Sequence, residues 1–396
     1  MRCVAVVGAS LAGLSAARSL RRRGYDGRLV VIGAEPHRPY DRSPLSKGFL
    51  AGTTEAAGLA LEADGEELAA EWLLGTAAVG LDRRDRAVRL ADGRRIRADK
   101  VVIATGAEPR TLPSPEPLAG VHVLRTLDDA VTLRQAMRRG GRLVVIGGGL
   151  IGLEVAATAR ALGLTVTVVE AAPAPLAGPL GPRMGSVVAA LHADHGVRLL
   201  CGAGVRAVRG ASRVEAVVLD DGRLLPADTV VVGIGARPCV QWLAGSGVAL
   251  RGGVCCDAAG RTSVPDVVAV GDCAAWYDPA TGRRRRDEYW SCARERSAVA
   301  VAALLPSGPP PPRRPPYFWS DQYGVRIRFA GDVAGADGVS VVEGDTGSRS
   351  FVAVYRRGER PVAVLAMDRA RSFTRFCAEL TADPAARTPE PAGSGA

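Results

Sequence analysis

Short apolar runs that stop at glycine recur along the chain. Cys3-Val4-Ala5-Val6-Val7 is continuous and largely β-branched, so it reads as a buried strand, and it ends at Gly8-Ala9-Ser10-Leu11-Ala12-Gly13. Leu14, Ala17 and Leu20 then recur at helical spacing, and a second strand over 29–32 ends near Glu35. The same order returns at 143–146, with Gly147-Gly148-Gly149-Leu150-Ile151-Gly152, a helix through Leu162, and a strand over 165–169 that ends at Glu170. Each block is a βαβ unit. In such a unit the first glycine makes the tight turn, the second lets backbone approach a pyrophosphate, and the third lets helix pack on strand. The helix N-terminus offers free N–H groups to the phosphates, and the acid accepts from a ribose diol. Ser10 stands at the second glycine position of the first loop, where a small hydroxyl still fits beside a pyrophosphate.

Each unit is followed by a matching segment. Residues 87–109 and 216–238 are identical at 13 of 23 positions, at a constant offset of 129 and without a gap. Both carry an Asp-Gly hairpin turn, Asp92-Gly93 and Asp221-Gly222, and then a buried strand. The chain therefore holds two copies of one dinucleotide-binding fold. Two dinucleotides in one enzyme are most simply a hydride donor and its acceptor.

Prolines at 306, 309–312, 315 and 316 read as a stiff linker over 306–316. Residues 317–367 alternate like strands, and 369–380 has a helical pattern. The expected fold class is α/β, with two Rossmann-like domains and a small C-terminal α+β domain over 317–382. The segment 383–396 is rich in Pro, Ala and Gly and is expected to be disordered.

Composition narrows the chemistry. The chain has 396 residues and is 47% apolar, enough for two or three cores. No apolar run reaches the roughly 20 residues of a membrane span, and the opening directly on a strand gives the expectation of a cytoplasmic protein without a signal peptide. Eight cysteines lie scattered at 3, 201, 239, 255, 256, 273, 292 and 377, with no Cys-x-x-Cys, so neither a zinc ribbon nor a thioredoxin-like pair is expected. The net charge is +10, which suits an acidic partner. Of 51 basic residues only Lys47 and Lys100 are lysines, so arginine is the default cation and each lysine stands out.

The residues Arg38-Pro-Tyr-Asp-Arg-Ser-Pro-Leu-Ser-Lys47, Ala104-Thr105-Gly106, Gly149-Leu-Ile-Gly-Leu-Glu154, Val264-Pro-Asp-Val-Val-Ala-Val-Gly-Asp272 and Tyr317-Phe-Trp-Ser-Asp-Gln-Tyr323 carry a family resemblance. From residue 1 to about 381 the chain resembles the FAD- and NADH-dependent ferredoxin reductases of oxygenase and cytochrome P450 systems, the putidaredoxin reductase-like group. The resemblance implies a discontinuous FAD domain, 1–109 and 235–305, around an inserted NAD domain, 110–234. It implies FAD contacts at Gly8, Ser10, Leu11, Ala12, Gly13, Glu35, Arg42, Ala104, Thr105, Gly106, Gly271 and Asp272, with Val79 and Arg125 added by position. NADH contacts would fall at Gly147, Gly149, Leu150, Ile151, Gly152, Glu170 and Gly235. Trp290 and Trp319 lie in segments that surround the isoalloxazine in the family. Lys47 and Glu154 resemble a catalytic pair beside the flavin N5 and the nicotinamide. There a cation stabilises the negative charge that develops on hydride transfer.

The loop Arg42-Ser43-Pro44-Leu45-Ser46-Lys47 holds no cysteine, so no thiol relay is expected and electrons should pass directly to an external acceptor. An acidic iron–sulfur ferredoxin fits, docking near Arg283, Arg284, Arg285 and Arg286 and feeding a P450 or oxygenase. Two alternatives stand beside this one. One is an NADH oxidase or disulfide-type reductase. The other is a non-metabolic binding protein like apoptosis-inducing factor. A carboxylate at Glu170 favours a free 2′-hydroxyl, and no arginine follows before Arg183, so NADH should be preferred to NADPH. The expected outcome of Glu170→Arg is a fall in the NADH:NADPH ratio of kcat/KM. An unchanged ratio in steady-state assays would remove Glu170 as the selector.

Overall fold

The first glycine loop joins a fully buried strand, Cys3–Val7, to helix Leu11–Arg22, whose Leu14, Ala17 and Leu20 face the core. Around this strand five parallel strands lie side by side, in the order Val267–Ala269, Lys100–Ile103, Cys3–Val7, Arg28–Ile32 and Ala70–Leu73. In this computed structural model every residue is described except Met1, 114–117, Ala280, 306–307, Pro310, Arg313 and 382–396. The expected tail, 383–396, and part of the expected proline linker thus lie outside the described residues.

The second unit repeats the plan. Its parallel sheet has the order Arg198–Cys201, Thr165–Glu170, Arg142–Ile146, Thr229–Val232 and Val121–His122. Helix Leu150–Ala161 follows the second glycine loop. In both units a three-stranded antiparallel meander precedes the strand that closes beside the glycine loop. The turns fall at Asp92-Gly93 and Asp221-Gly222, with φ of +87° and +86° at the glycines, the left-handed backbone that an Asp-Gly hairpin turn uses.

The first sheet receives its edge strand, Val267–Ala269, from beyond the second unit. The chain crosses between the units through a two-stranded antiparallel ribbon, Ala107–Pro109 with Ala236–Pro238. Helix Trp290–Leu304 then returns to pack on Leu11–Arg22, and Ser297 Oγ donates to the Ala12 carbonyl. One core thus draws on both ends of the first 305 residues.

The C-terminal unit is an antiparallel sheet in the order Tyr317–Gln322, Val325–Gly331, Arg360–Met367, Ser350–Arg357 and Gly338–Asp345, closed by helix Ala370–Thr381. One face packs on that helix through Val352, Val354, Val364 and Phe373. The other carries Phe318, Ile327, Phe329, Phe351 and Leu365 into the same core as Leu153, Leu176, Leu180 and Met184 of the second unit. Tyr355 Oη donates to the Leu180 carbonyl at 2.6 Å. The second unit and the C-terminal sheet are therefore one packed body.

Three elements lack a clear periodic signal in the sequence: strand Ala70–Leu73 and helices Leu127–Met137 and Ala177–Asp194. The first helix starts from a reciprocal cap between Thr126 and Asp129. The second is interrupted at Gly181 (φ +72°) and resumes at Pro182, a position where a missing N–H costs no helical bond. Each helix buries one face, Ala130, Leu133, Ala136 and Met137 in the first and Leu180, Met184, Val188 and Leu191 in the second, but the exposed Val131 blurs the first stripe and the break at Gly181 the second.

Candidate functional site

The two glycine loops are sterically closed against the protein itself. A Cβ on Gly8 would lie 2.0 Å from the Ala104 carbonyl oxygen, and one on Gly13 would lie 1.8 Å from that of Gly8. The second loop behaves alike, with 2.2 Å from Gly147 to the Gly233 oxygen and 2.3 Å from Gly152 to the Gly147 oxygen. The middle position differs. Nothing lies within 4 Å of a Cβ on Gly149, and its counterpart Ser10 lines a cavity, its hydroxyl accepting from Arg42 Nε at 3.3 Å. The serine is tolerated because that position faces open space instead of the adjoining strand.

A cavity of about 570 Å³ runs along the first loop, within the usual range of roughly 300–1,000 Å³ for cofactor sites. Gly8, Ser10, Glu35, Thr105 and Arg125 are among its walls. Glu35 accepts from Arg42 Nη2 through one oxygen and from Tyr40 Oη through the other. Burial, first, and then the Glu35 carboxylate raise the Tyr40 pKa, so its hydroxyl stays a donor, though Arg42 pulls the other way. Arg125 donates to Asp272 Oδ2 at 2.7 Å, while its own Nε is buried without a partner. Burial disfavours the charged guanidinium, but Asp272 outweighs it, and the Arg125 pKa is raised. A buried donor left unpaired beside a glycine loop fits a pyrophosphate or its attached chain. Gly106, at this cavity, and Gly271, at the smaller cavity beside it, both adopt positive φ, +67° and +70°.

A second cavity of about 210 Å³ shares Ser10, Tyr40, Arg42, Ala104, Gly106 and Arg125 with the first. It is lined by Leu11 and Ala12 of the first loop and also by Leu150, Ile151 and Glu154 of the second. Between them stand Lys47 and Glu154, with Nζ 2.6 Å from Oε2. Lys47 sits in a wide helical turn, Leu45–Phe49, where Phe49 N–H reaches back to the Pro44 carbonyl. Such turns recur at functional sites. Lys47 Nζ also donates to the Ser43 carbonyl. Trp290 and Trp319 both line this cavity, edge to face with centroids 5.8 Å apart, and Trp290 Nε1 donates to Asp41.

Glu170 accepts from the amides of Gly148 and Ala172 at 2.6 and 2.7 Å, which places its carboxylate at the second glycine loop. Arg183 points elsewhere and donates to the Val339 carbonyl. Gly235, at φ +97°, accepts from the Arg110 amide beside the crossing ribbon. Two expectations change on the structure. Val79 is 47% exposed and it is Ala77 and Ala78 that line the larger cavity, because a bulge between Ala78 and Gly80 turns its side chain outward. The run of four arginines is not a uniform exposed patch. Arg285 pairs with Asp287 and Asp332, and Arg286 with Glu288 and the Asp272 carbonyl, so only Arg283 and Arg284 are exposed. Strand Arg283–Arg285 pairs with Ala274–Asp278, and that pairing puts Arg285 opposite the buried Trp276, on the face turned toward the protein.

Sequence reasoning missed Ser46, Ser320, Gln322 and His192. Ser46 Oγ donates to Glu154 Oε2 at 2.5 Å, and Ser320 Oγ donates to Oε1 at 2.6 Å. The available signal was a serine and a glutamine at inward positions of an alternating strand, in a pattern where every second residue is buried.

Thiol chemistry finds no support here. All eight cysteines are free, and none lines the cavity that holds Lys47. Burial pushes Cys273 and Cys292 up to about 11 and Cys377 to about 12, so these are inert thiols. Cys239 lines the larger cavity, and burial raises it too. Among the described residues there is no cluster of metal-ligating side chains and no helix long and apolar enough to cross a membrane.

Two dinucleotide cradles opening on one cavity define a flavin- and pyridine-nucleotide-dependent oxidoreductase. Comparison with known proteins agrees. The chain belongs to the pyridine nucleotide-disulphide oxidoreductase family, which it matches over residues 2–301, and residues 317–390 match a reductase C-terminal domain. It is 40% identical to the ferredoxin reductase component of chlorobenzene dioxygenase from Cupriavidus sp. (strain PS12), over 93% of this chain and 90% of that protein. Rhodocoxin reductase from Rhodococcus erythropolis is 37% identical, over 93% and 87%. Among solved structures, the reductase in a covalent putidaredoxin reductase–putidaredoxin complex superposes with a TM-score of 0.92 at 33% identity, covering 96% of this chain and 93% of that one. Arg125→Ala is expected to purify with a lower flavin-to-protein ratio than the wild type, measured as A450/A280. An equal ratio would show that the unpaired guanidinium does not hold the cofactor.

Proposed function

We propose that this protein is an NADH-dependent ferredoxin reductase that supplies electrons to an oxygenase or a cytochrome P450. The observation that carries this reading is the single cavity lined by both glycine loops, with Lys47 and Glu154 between them. When bound, the flavin accepts a hydride from NADH and returns the two electrons singly, which suits a one-electron iron–sulfur partner. The relatives named as ferredoxin reductase components support the choice of acceptor. So does the absence of a cysteine from that cavity's walls, which leaves no relay of the disulfide-reductase kind.

The residues take these roles in the proposal. The amides of the first loop, with Ser10, Arg42 and Arg125, hold the flavin phosphates, and Asp272 holds the chain between phosphates and ring. Glu170 and the second loop hold the NADH ribose and pyrophosphate. Lys47 places its ammonium group in a cavity that Trp290 and Trp319 help to wall, where a charge acts at a lower dielectric than in water. Glu154 aims that charge and faces the nicotinamide side from helix Leu150–Ala161. The exposed arginines Arg283 and Arg284 serve an acidic partner, and the enzyme works in the cytoplasm.

Two measurements test this reading. Lys47→Ala is expected to slow flavin reduction by NADH in stopped flow by at least about tenfold, with a smaller change in NADH affinity. Reduction at the wild-type rate would exclude the lysine. Turnover from NADH through a [2Fe–2S] ferredoxin is expected to fall steeply with salt, while NADH–ferricyanide turnover changes little. Equal salt responses in both assays would argue against an electrostatic dock.

A further inference from the structure

Behind the Lys47–Glu154 pair a thread of hydrogen bonds crosses the interface between the second unit and the C-terminal sheet. Ser320 Oγ donates to Glu154 Oε1 at 2.6 Å, and Gln322 Nε2 donates to Ser320 Oγ at 3.0 Å. Gln322 Oε1 lies 2.8 Å from His192 Nε2, and His192 Nδ1 lies 2.9 Å from Tyr323 Oη. Ser320, Gln322 and His192 are almost wholly buried.

The directions of these bonds are determined. Glu154 is the acceptor, so Ser320 must donate to it and accept from Gln322. The glutamine then turns its oxygen to His192, which must carry its proton on Nε2 and accept on Nδ1 from the tyrosine. Burial lowers the His192 pKa to about 4, so the ring stays neutral and holds this one tautomer near pH 7. A thread with an amide in its middle is a poor proton wire but a good brace, because each hydroxyl or amide has one orientation left.

The outer end is fixed with equal care. Tyr323 occupies the first position of a two-residue hairpin turn at φ +53°, where a bulky side chain is an outlier. Its ring stacks on His195, centroids 3.9 Å apart and planes 9° from parallel. Strain held in place by surrounding contacts is a mark of function. Ser320 and Gln322 also break the rule that the inward face of a strand is apolar.

We propose that Ser320, locked by Gln322, His192 and Tyr323, is a positioning residue for hydride transfer. It ties Oε1 of Glu154 to the C-terminal sheet and so leaves Oε2 to Lys47 and Ser46. The C-terminal unit is thereby a working part of the hydride site. This inference rests on the reading of Lys47 and Glu154 given above.

The test uses the purified flavoprotein and two readouts. In stopped flow, Ser320→Ala slows flavin reduction at saturating NADH by about tenfold, the size expected for one buried hydrogen bond to a carboxylate. The NADH dissociation constant stays within about twofold, and Ser320→Thr, which keeps the hydroxyl, restores the rate. The second readout needs no turnover. The chain has two lysines, and Lys100 is tied to Asp266 at 2.7 Å, so limited acetylation followed by mass spectrometry scores Lys47 against an internal reference. Ser320→Ala raises Lys47 labelling relative to Lys100 several-fold. Gln322→Met, which leaves the serine in place, shifts both readouts in the same direction. In a Glu154→Gln background, Ser320→Ala adds no further slowing. A wild-type rate with unchanged Lys47 labelling in Ser320→Ala, or full multiplicative slowing in the double variant, overturns the proposal. If Glu154→Gln and Lys47→Ala both reduce flavin at the wild-type rate, the underlying reading fails. The labelling still decides whether the thread positions the pair.

Discussion

The Glu154 carboxylate is the point on which three separate stretches of chain converge. Its own helix comes from the second unit, Lys47 and Ser46 come from a loop of the first, and Ser320 comes from the C-terminal sheet. Each of these neighbours is a donor, so the buried carboxylate meets Lys47 and the Ser46 hydroxyl on one oxygen and the Ser320 hydroxyl on the other. A buried carboxylate with one oxygen unmet would be costly. The constraint therefore acts on the whole fold, since the three units must sit in one arrangement for this one group to be satisfied. Thr158 Oγ1, which donates to the Ser46 carbonyl at 2.8 Å, adds a second tie between the same helix and the same loop.

Much of the architecture was legible because its constraints are steric and local. Gly8, Gly13, Gly147 and Gly152 are places where a methyl group would collide with backbone, and such places leave a mark in sequence. The offset of 129 residues exposed the duplication without any structure. Helices Leu127–Met137 and Ala177–Asp194 were less visible, since an apolar Val131 stands on the exposed face of the first and the second is broken at Gly181. The site was legible only where rare or charged residues mark it. Lys47 stood out among arginines, and Glu154 followed a glycine loop. Ser46, Ser320, Gln322 and His192 are common neutral residues whose roles arise from contacts more than a hundred positions apart. The arginine run misled for a related reason. Charge can be counted in a sequence, but whether it faces solvent depends on the strand pairing that turns Arg285 inward and on the Asp272 carbonyl that holds Arg286.

The family takes its name from disulfide chemistry, yet the loop over 42–47 beside the site carries Ser43 and Ser46 and no cysteine. Cys256 and Cys273 lie in the first core, and burial holds both thiols well above the ordinary range. On a scaffold of two cradles, the acceptor is set by what stands beside Lys47 and not by the cradles themselves. This is how a fold and its chemistry come apart.

The antiparallel ribbon of Ala107–Pro109 and Ala236–Pro238 has an evolutionary corollary. Because the polypeptide departs and returns at adjacent points, joined by the Arg110 amide and the Gly235 carbonyl at 2.9 Å, everything between behaves as a cassette with neighbouring ends. Such a cassette can be gained, lost or exchanged between lineages without stretching the host sheet. A gene duplication that placed one nucleotide-binding module inside another needed no new linker to remain foldable.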